Sequence, residues 1–403
     1  MVLLSDVQAA AARICDQVYL SPCARSETLS RLTGTNAFLK LENLQMTGAY
    51  KERGALNKLL LLAPAERARG LIAASAGNHA QAVAYHGGRL GISVTIVMPE
   101  TTPIMKVDNT RAHGARVVLH GTSYDEAYQE SRRLEQAEGL TFVHPFDDPQ
   151  VIAGQGTMGL EILEQVPDVE AVLVPIGGGG LASGLGVALK EQRPSVRLIG
   201  VEASALACLA AARRAGHPVT LPGASTLADG IAVKRVGDLT FEHLQRYLDD
   251  LVTVSEEEIA AAILYCLEKE KTVAEGAGAV AVAALMHHRV PRVEGRRVVS
   301  VVSGGNIDVN IIARIIERGL VQLGRLVRIS IALLDKPGQL TATSGIIAAC
   351  RANVVEVHHT RAFVSKIGDT TLQLTLETRG PDHVEEILAA LRQAGYTVER
   401  LGG

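Results

Sequence analysis

Thr47-Gly48-Ala49-Tyr50-Lys51-Glu52-Arg53-Gly54-Ala55 places one lysine between small residues and the start of a helical run. A lysine amine forms a Schiff base with an aldehyde when it can reach the carbonyl carbon and shed its proton. The small residues before Lys51 leave room for a flat ring. Any one of the 40 Lys and Arg residues is ordinarily a solvated surface charge. Lys51 is singled out by three further stretches, each of which joins an apolar run to a turn of small residues.

The first is Leu71-Ile72-Ala73-Ala74, a strand, followed by Ser75-Ala76-Gly77-Asn78-His79 and an Ala-rich helix. Strand, glycine turn and helix form the unit of a parallel sheet. The unit recurs with Val94-Thr95-Ile96-Val97, stopped by Pro99, a helix to His113, and Arg116-Val117-Val118-Leu119. Before it, Asp6 to Leu20 reads as a helix and Phe38-Leu39-Lys40-Leu41 as a short strand. A second series follows: Val172-Leu173-Val174-Pro175 runs into Gly177-Gly178-Gly179-Gly180, Arg197 to Val201 is a strand, and Val298 to Val302 ends at Ser303-Gly304-Gly305-Asn306. Continuous apolar runs of this length suit strands covered on both faces, and open α/β sheets bind ligands at the carboxyl ends of such strands.

After about Leu320 the pattern changes. Leu372, Leu374 and Leu376 alternate with Gln373, Thr375 and Glu377, the period of a strand with one wet face, whereas Val384, Ile387, Leu388 and Leu391 follow helical spacing. With Val327, Ile329, Ile331 and Leu333 on a first strand, residues 326–403 predict a separate βαββαβ domain. The expected class is therefore α/β, with a catalytic region over 1–322 made of two open α/β subdomains, the smaller inserted at about 46–145, and a small α+β domain over 326–403.

Composition agrees. A chain of 403 residues suggests two or three domains. It is 47% hydrophobic but only 3% aromatic, with 39 Gly, which favours aliphatic α/β layers with tight turns. A net charge of −3 and the lack of a basic stripe argue against nucleic-acid or anionic-membrane partners. Five cysteines without a CxxC pair argue against a disulfide framework, and no signal-like N-terminus or long apolar run is seen, so a soluble cytoplasmic protein is expected.

Four consecutive glycines between a strand and the helix Leu181 to Lys190 let backbone N–H groups converge on a phosphate, aided by the helix dipole; a flexible turn is the alternative. The N–H groups of Ser75 to His79 could hold a carboxylate, and the Asn78 amide could donate to a ring oxygen or cap the helix. The Ser303 hydroxyl could meet a ring nitrogen or satisfy a turn. Gly154-Gln155-Gly156-Thr157-Met158-Gly159 fits GxGxxG, yet no strand immediately precedes it and no acidic residue follows at the spacing a ribose needs. HExxH and GxSxG are absent, so metal hydrolysis and serine-hydrolase chemistry have no support.

Together, T-G-A-Y-K-E-R-G-A, S-A-G-N-H, the glycine loop, S-G-G-N, and His144-Pro145-Phe146-Asp147-Asp148 with Ala153-Gly154-Gln155-Gly156-Thr157 resemble the fold-type II pyridoxal-phosphate (PLP) enzymes, and among them the threonine ammonia-lyase (threonine dehydratase) family. Residues after 326 resemble an ACT domain, a small amino-acid-sensing module, with Asp335-Lys336-Pro337-Gly338 in its first turn; such domains commonly pair edge to edge, which the resemblance implies for Leu326 to Leu334 and that turn. The resemblance implies that Lys51 holds pyridoxal 5'-phosphate and then acts as the base at Cα. It implies that Gly177, Gly178, Gly179, Gly180 and Leu181 bind the phosphate, Asn78 the ring hydroxyl and Ser303 the pyridine nitrogen. Ser75, Ala76, Gly77, Asn78 and His79 would take the substrate carboxylate. The implied reaction is conversion of L-threonine to 2-oxobutanoate and ammonia, with L-serine giving pyruvate, in a homo-oligomer (dimer or tetramer) that takes an amino-acid effector. A racemase is the alternative on the same scaffold, but racemases carry a serine where this chain has Ala76; a catalytically silent amino-acid sensor is the other. Tyr50 stands where the family usually has phenylalanine, and Cys208 where metal-binding members, which also carry the equivalent of Glu202, have aspartate. A hard divalent cation prefers oxygen, so no metal is assigned.

Overall fold

In the computed structural model, which describes residues 1–361 and 368–402, the strand-turn-helix units build two sheets. Cys23–Arg25, Asn36–Leu41, Arg297–Val302, Ala171–Pro175, Arg197–Ala203 and Asp250–Val254 lie side by side in that order, and only the first pair is antiparallel. The second sheet is all parallel, in the order Arg116–Leu119, Val94–Met98, Leu71–Ala74, Thr141–Phe142. Leu71–Ala74, Val94–Met98 and Ala171–Pro175 are buried at every residue. Helices cover both faces, so these strands read as unbroken apolar runs rather than alternations. One core gathers Val172, Val174, Leu185 and Leu198, the other Leu71, Ala73, Val83 and Ile96. Both sheets belong to one compact unit, Met1–Ile307.

The GxGxxG stretch lies wholly inside the helix Pro149–Gln165. Its glycines serve packing: a Cβ on Gly154 would stand 2.6 Å from the Arg53 carbonyl oxygen, one on Gly156 2.8 Å from that of Gly184, and one on Gly159 2.7 Å from Ala188 Cβ. The helix therefore lies backbone to backbone against the helices Lys51–Leu60 and Gly180–Gln192.

The first helix is shorter than its periodicity suggests, running Leu4–Ile14 instead of Asp6 to Leu20. It starts where the Asp6 carboxylate accepts the Leu3 N–H at 2.9 Å. Five residues beyond its end, Gln45, far along the chain, takes both the N–H and the carbonyl of Tyr19 (3.2 and 2.8 Å) and holds that residue out of a helix.

The second compact unit, Asp308–Gly403, opens with the amphipathic helix Val309–Gln322, which the sequence reading had grouped with the first. Its sheet is antiparallel in the order Asn353–Thr360, Asp369–Glu377, Leu326–Leu334, Thr397–Leu401. Val327, Ile329, Ile331 and Leu333 point to a core shared with Leu372, Leu374, Leu376, Ile387 and Leu391. The βαββαβ order is as the two periodicities predict. Among the described residues no helix is long and apolar enough to cross a membrane.

Because the atoms facing Gly154 are backbone and cannot yield, Gly154→Ala is expected to lower stability by ~1–3 kcal/mol in urea unfolding. Gly345→Ala, on a helix with nothing within 4 Å of the added carbon, is expected to be neutral or slightly stabilising. Equal effects at the two positions would contradict the packing account.

Candidate active site

Lys51 is the first residue of its helix, and the backbone before it is tied to a segment far away in the chain. The Tyr50 N–H donates to the Ser303 carbonyl at 3.0 Å and the Gly305 N–H to the Gly48 carbonyl at 2.9 Å, with Ala49 and Gly304 bridged between them. Gly48 sits at φ +73 and a Cβ there would reach Asn306 Oδ1 at 2.5 Å, so both its dihedral and its surroundings require glycine. Asn306 Nδ2 completes the junction by donating to the Thr47 carbonyl (2.7 Å) and to Asn78 Oδ1 (2.8 Å).

Three loops meet at this junction, each at the carboxyl end of a parallel strand: Ser75 to His79 after Leu71–Ala74, Gly177 to Gly180 after Ala171–Pro175, and Ser303 after Arg297–Val302. Lys51, Asn78, Phe146, Gly177, Gly178, Gly179, Gly180, Leu181, Glu275 and Ser303 line one cavity. Lys51, Asn78, Gly177 to Leu181 and Ser303, singled out in the sequence, are thus brought together, and Phe146 and Glu275 join them. Of the carboxylate candidates, Asn78 lines this cavity; Ser75, Ala76 and Gly77 are half-buried beside it and His79 is buried.

The glycine loop is buried and held by its carbonyls. Cys208 Sγ lies 3.5 Å from the Gly177 oxygen, while Thr240 Oγ1 (2.6 Å) and the Gly237 N–H (3.3 Å) donate to the Gly178 oxygen. The backbone N–H groups from Gly177 to Leu181 donate to no other described residue. Buried, unpaired donors beside a cavity and at a helix start are what an anionic group needs. The N–H groups of Ala76, Asn78 and His79 are likewise unused, whereas that of Gly77 is taken by Ser75 Oγ at 3.2 Å. Phe146 packs over the glycine loop: a Cβ on Gly178 would collide with its ring and one on Gly180 would stand 2.9 Å from its carbonyl oxygen. Asp147 fixes that segment by accepting the N–H groups of Asp238 (3.1 Å) and Thr240 (3.0 Å).

Lys51 Nζ donates to the Pro145 carbonyl at 2.8 Å and lies 5.3 Å from the Tyr50 ring centre. Burial pushes its amine down to about 8, against the Glu275 carboxylate, which raises it. A neutral, nucleophilic amine is therefore within reach near neutral pH. Burial, reinforced by Glu275, pushes the Tyr50 phenol up, so it stays neutral. Burial pushes His79 down to about 3 and His144 down to about 4. His144 Nδ1 accepts the N–H groups of Phe146 (3.2 Å) and Asp147 (2.7 Å), a structural task for a neutral ring.

Asn78 does not cap its helix; Gly77 holds the cap position. Its Nδ2 donates to Glu275 Oε1 at 2.6 Å while its Oδ1 faces Asn306. Ser303 Oγ makes a long contact of 3.4 Å with the Ala277 carbonyl and is free to turn to a better partner. Sequence reading missed Glu275 and gave Asn306 no role. Glu202, away from the cavity lining, spends its carboxylate on the N–H groups of Leu209 (2.7 Å) and Ala210 (3.0 Å).

A cavity with a lowered-pKa lysine, unpaired buried donors for a phosphate, and an amide and a hydroxyl with hydrogen-bonding capacity to spare fits a phosphorylated aldehyde cofactor. The chain belongs to the pyridoxal-phosphate dependent enzyme family, whose model matches residues 14–304, and it is a PLP-dependent enzyme. It is 50% identical over 403 residues to the L-threonine ammonia-lyase of Thermotoga maritima, covering 100% of both chains. Its fold is similar to the processed form of threonine deaminase isoform 2 from Solanum lycopersicum (TM-score 0.75, 40% identity, 78% of this chain and 86% of that one). It is similar also to maize serine racemase (TM-score 0.75, 33% identity, 80% and 98%).

Since a side chain at Gly178 meets the Phe146 ring before it meets any ligand, Gly178→Ala is expected to weaken PLP retention in dialysis and reconstitution at least about tenfold. Phe146→Ala in the same chain should restore part of it, a coupling that independent sites would not give. Unchanged affinity in Gly178→Ala would count against a tightly built loop.

Proposed function

We propose that this protein is an L-threonine ammonia-lyase, converting L-threonine to 2-oxobutanoate and ammonia and, with the same groups, L-serine to pyruvate and ammonia. The observation that carries the reading is the convergence of Lys51, Asn78, the 177–181 backbone and Ser303 on one cavity, in a chain 50% identical along its whole length to a protein of that activity.

When bound, PLP supplies an electron sink that makes the substrate Cα–H bond acidic. The chain does the rest. The N–H groups of Gly177 to Leu181 would hold its phosphate, the remaining N–H of the Asn78 amide would serve the ring hydroxyl, and Ser303 Oγ would serve the ring nitrogen. A neutral serine there, unlike a carboxylate, does not enforce a protonated ring; the weaker sink favours prompt loss of the β-hydroxyl over a long-lived carbanion. The N–H groups of Ala76, Asn78 and His79 hold the substrate carboxylate. Lys51, whose amine is pushed down to about 8, exchanges the proton at Cα. Loss of that proton and of the β-hydroxyl as water leaves an enamine, which becomes an imine; water then returns and ammonia leaves, so none is consumed overall.

Ala76 favours lyase over racemase. Inverting Cα requires a second acid on the opposite face, and an alanine methyl has no proton to give.

We extend the proposal to the second unit as an ACT-type module that senses a branched amino acid, isoleucine or valine, downstream of 2-oxobutanoate. Its βαββαβ order and self-contained core support that reading. The strand Leu326–Leu334, a candidate for pairing with a second copy by resemblance, is paired along its whole length on one side and over Arg328 to Ala332 on the other, so its middle has no free backbone edge. The open edge Asn353–Thr360, with Val355 and Val357 about half exposed (51% and 48%), takes over that role, beside the turn Asp335 to Gly338.

The direct test is release of oxo acid from L-threonine and L-serine by the purified protein; none from either would end the reading. Lys51→Ala is expected to cut turnover at least ~10³-fold while far-ultraviolet circular dichroism stays unchanged. In chiral chromatography the native enzyme should give little D-serine from L-serine and Ala76→Ser more; abundant D-serine from the native chain would reverse the ranking. Truncation after Leu320 should leave some turnover but remove any response to isoleucine or valine, since an effector acts only through unequal affinity for two states. A truncated enzyme with the full response would place the sensor elsewhere.

A further inference from the structure

Glu275 is a carboxyl group that the chemistry above leaves without a task. It is 3% exposed, sits at the cap position of the helix Gly276–Met286, and is fixed by its own N–H, which donates to the Gly304 carbonyl at 3.0 Å. Its carboxylate accepts Asn78 Nδ2 at 2.6 Å. A Cβ on Gly304 would collide with Oε1, so the second residue of Ser303-Gly304-Gly305 admits the carboxyl group to the cavity wall.

The Asn78 amide is thereby held in one sense. Nδ2 faces Glu275 and Oδ1 faces Asn306 Nδ2; a flipped amide would set oxygen against carboxylate and amine against amine. One N–H remains, and its direction is dictated by the other.

The charges around Glu275 come from every side. Asp229 approaches from the short turn Asp229–Ile231, and Lys106, paired with Asp229 at 2.8 Å, from the helix Ile104–Ala112. Asn78 donates to it, and Tyr50 and Lys51 share its cavity. Burial, then Asp229, push Glu275 up to about 7, while the Asn78 bond, Lys106 and the Asn306 N–H pull it down. The neighbouring amine stands at about 8. Carboxylate with ammonium, and carboxylic acid with free amine, are therefore neighbouring states of one proton, and such pairs titrate together.

We propose that Glu275 is a positioning residue of the active site, orienting the Asn78 amide through its carboxyl group and acting by its charge across the cavity on Lys51 and on the ring held there. The proposal rests on the reading of this cavity as the cofactor site. A carboxylate grips the Asn78 N–H by a charge-assisted bond and favours a protonated Lys51 nitrogen, whether that nitrogen is free or joined to the cofactor; proton uptake by Glu275 weakens both effects.

The test is a spectral titration of the bound cofactor in the full-length holoenzyme between pH 6 and 9, with cofactor retention in dialysis measured alongside. The wild type should show a transition near pH 7, as Glu275 gains or loses its proton. Glu275→Gln, which keeps the size but not the charge, should abolish that transition or move it by at least about one pH unit, and lower retention about tenfold. Glu275→Asp should keep the transition. A merely structural role would lower the melting temperature of Glu275→Gln and leave its midpoint where it was; a wild-type midpoint in that variant overturns the proposal. A wild type with a cofactor band but no transition between pH 6 and 8 overturns it without any variant. A wild type that cannot be loaded with PLP at all refutes the cofactor-site reading itself, and with it this one.

Discussion

Two backbone hydrogen bonds, Tyr50 N–H to Ser303 O and Gly305 N–H to Gly48 O, bring the lysine stretch and the last catalytic-region strand together. They join segments that no local propensity would pair. Once they form, Lys51 faces a cavity whose other walls are set by ordinary parallel-sheet geometry, because strand ends on one side of a sheet are neighbours in space. The junction tolerates only glycine at residue 48, where both the dihedral and the Asn306 side chain forbid a Cβ. A short polar chain, Thr47 carbonyl to Asn306 to Asn78 to Glu275, then carries the same registration to the helix after Leu71–Ala74.

The other end of the lysine segment is fixed by charge. Arg53, 1% exposed, grips Glu42 through Nε (2.8 Å) and Nη2 (2.7 Å) and Glu161 through Nη1 (2.5 Å), and Lys40 Nζ meets Glu161 at 2.5 Å. Burial alone would raise the Glu42 carboxyl, but Arg53 and Lys40 hold it below its usual range. Burying such ions costs desolvation energy that their attraction does little more than offset, so their value is geometric. One group binds the strand Asn36–Leu41, the turn after it, and the helices Lys51–Leu60 and Pro149–Gln165 in a single arrangement. With Gly154 pressed on the Arg53 backbone, the first turn of the lysine helix has little freedom left.

Much of this was legible in the sequence. Strands buried on both faces announce themselves as apolar runs, and the four glycines and the small-residue turns after them mark where backbone must do the binding. The limits are as instructive. The first helix was overrun because a side chain at residue 45 holds Tyr19 out of a helix, a constraint invisible to periodicity. Leu326–Leu334 was a candidate for pairing by resemblance alone, since alternation reveals which face is wet, not which neighbours a strand has. Glu275 reads as an acidic cap before small apolar residues; only the fold carries Asn78, 197 positions away in the chain, to its carboxylate. The alternative task for Asn78, capping its helix, was equally plausible until Gly77 proved to hold that position.

The central claim is that one lysine of this chain, Lys51, carries the cofactor. Reduction of the holoenzyme with borohydride, followed by peptide mass spectrometry, tests it most directly. The account predicts a stable pyridoxyl adduct on the peptide containing Lys51 and on no other lysine. An adduct fixed at a different lysine, with Lys51 recovered unmodified, would contradict it.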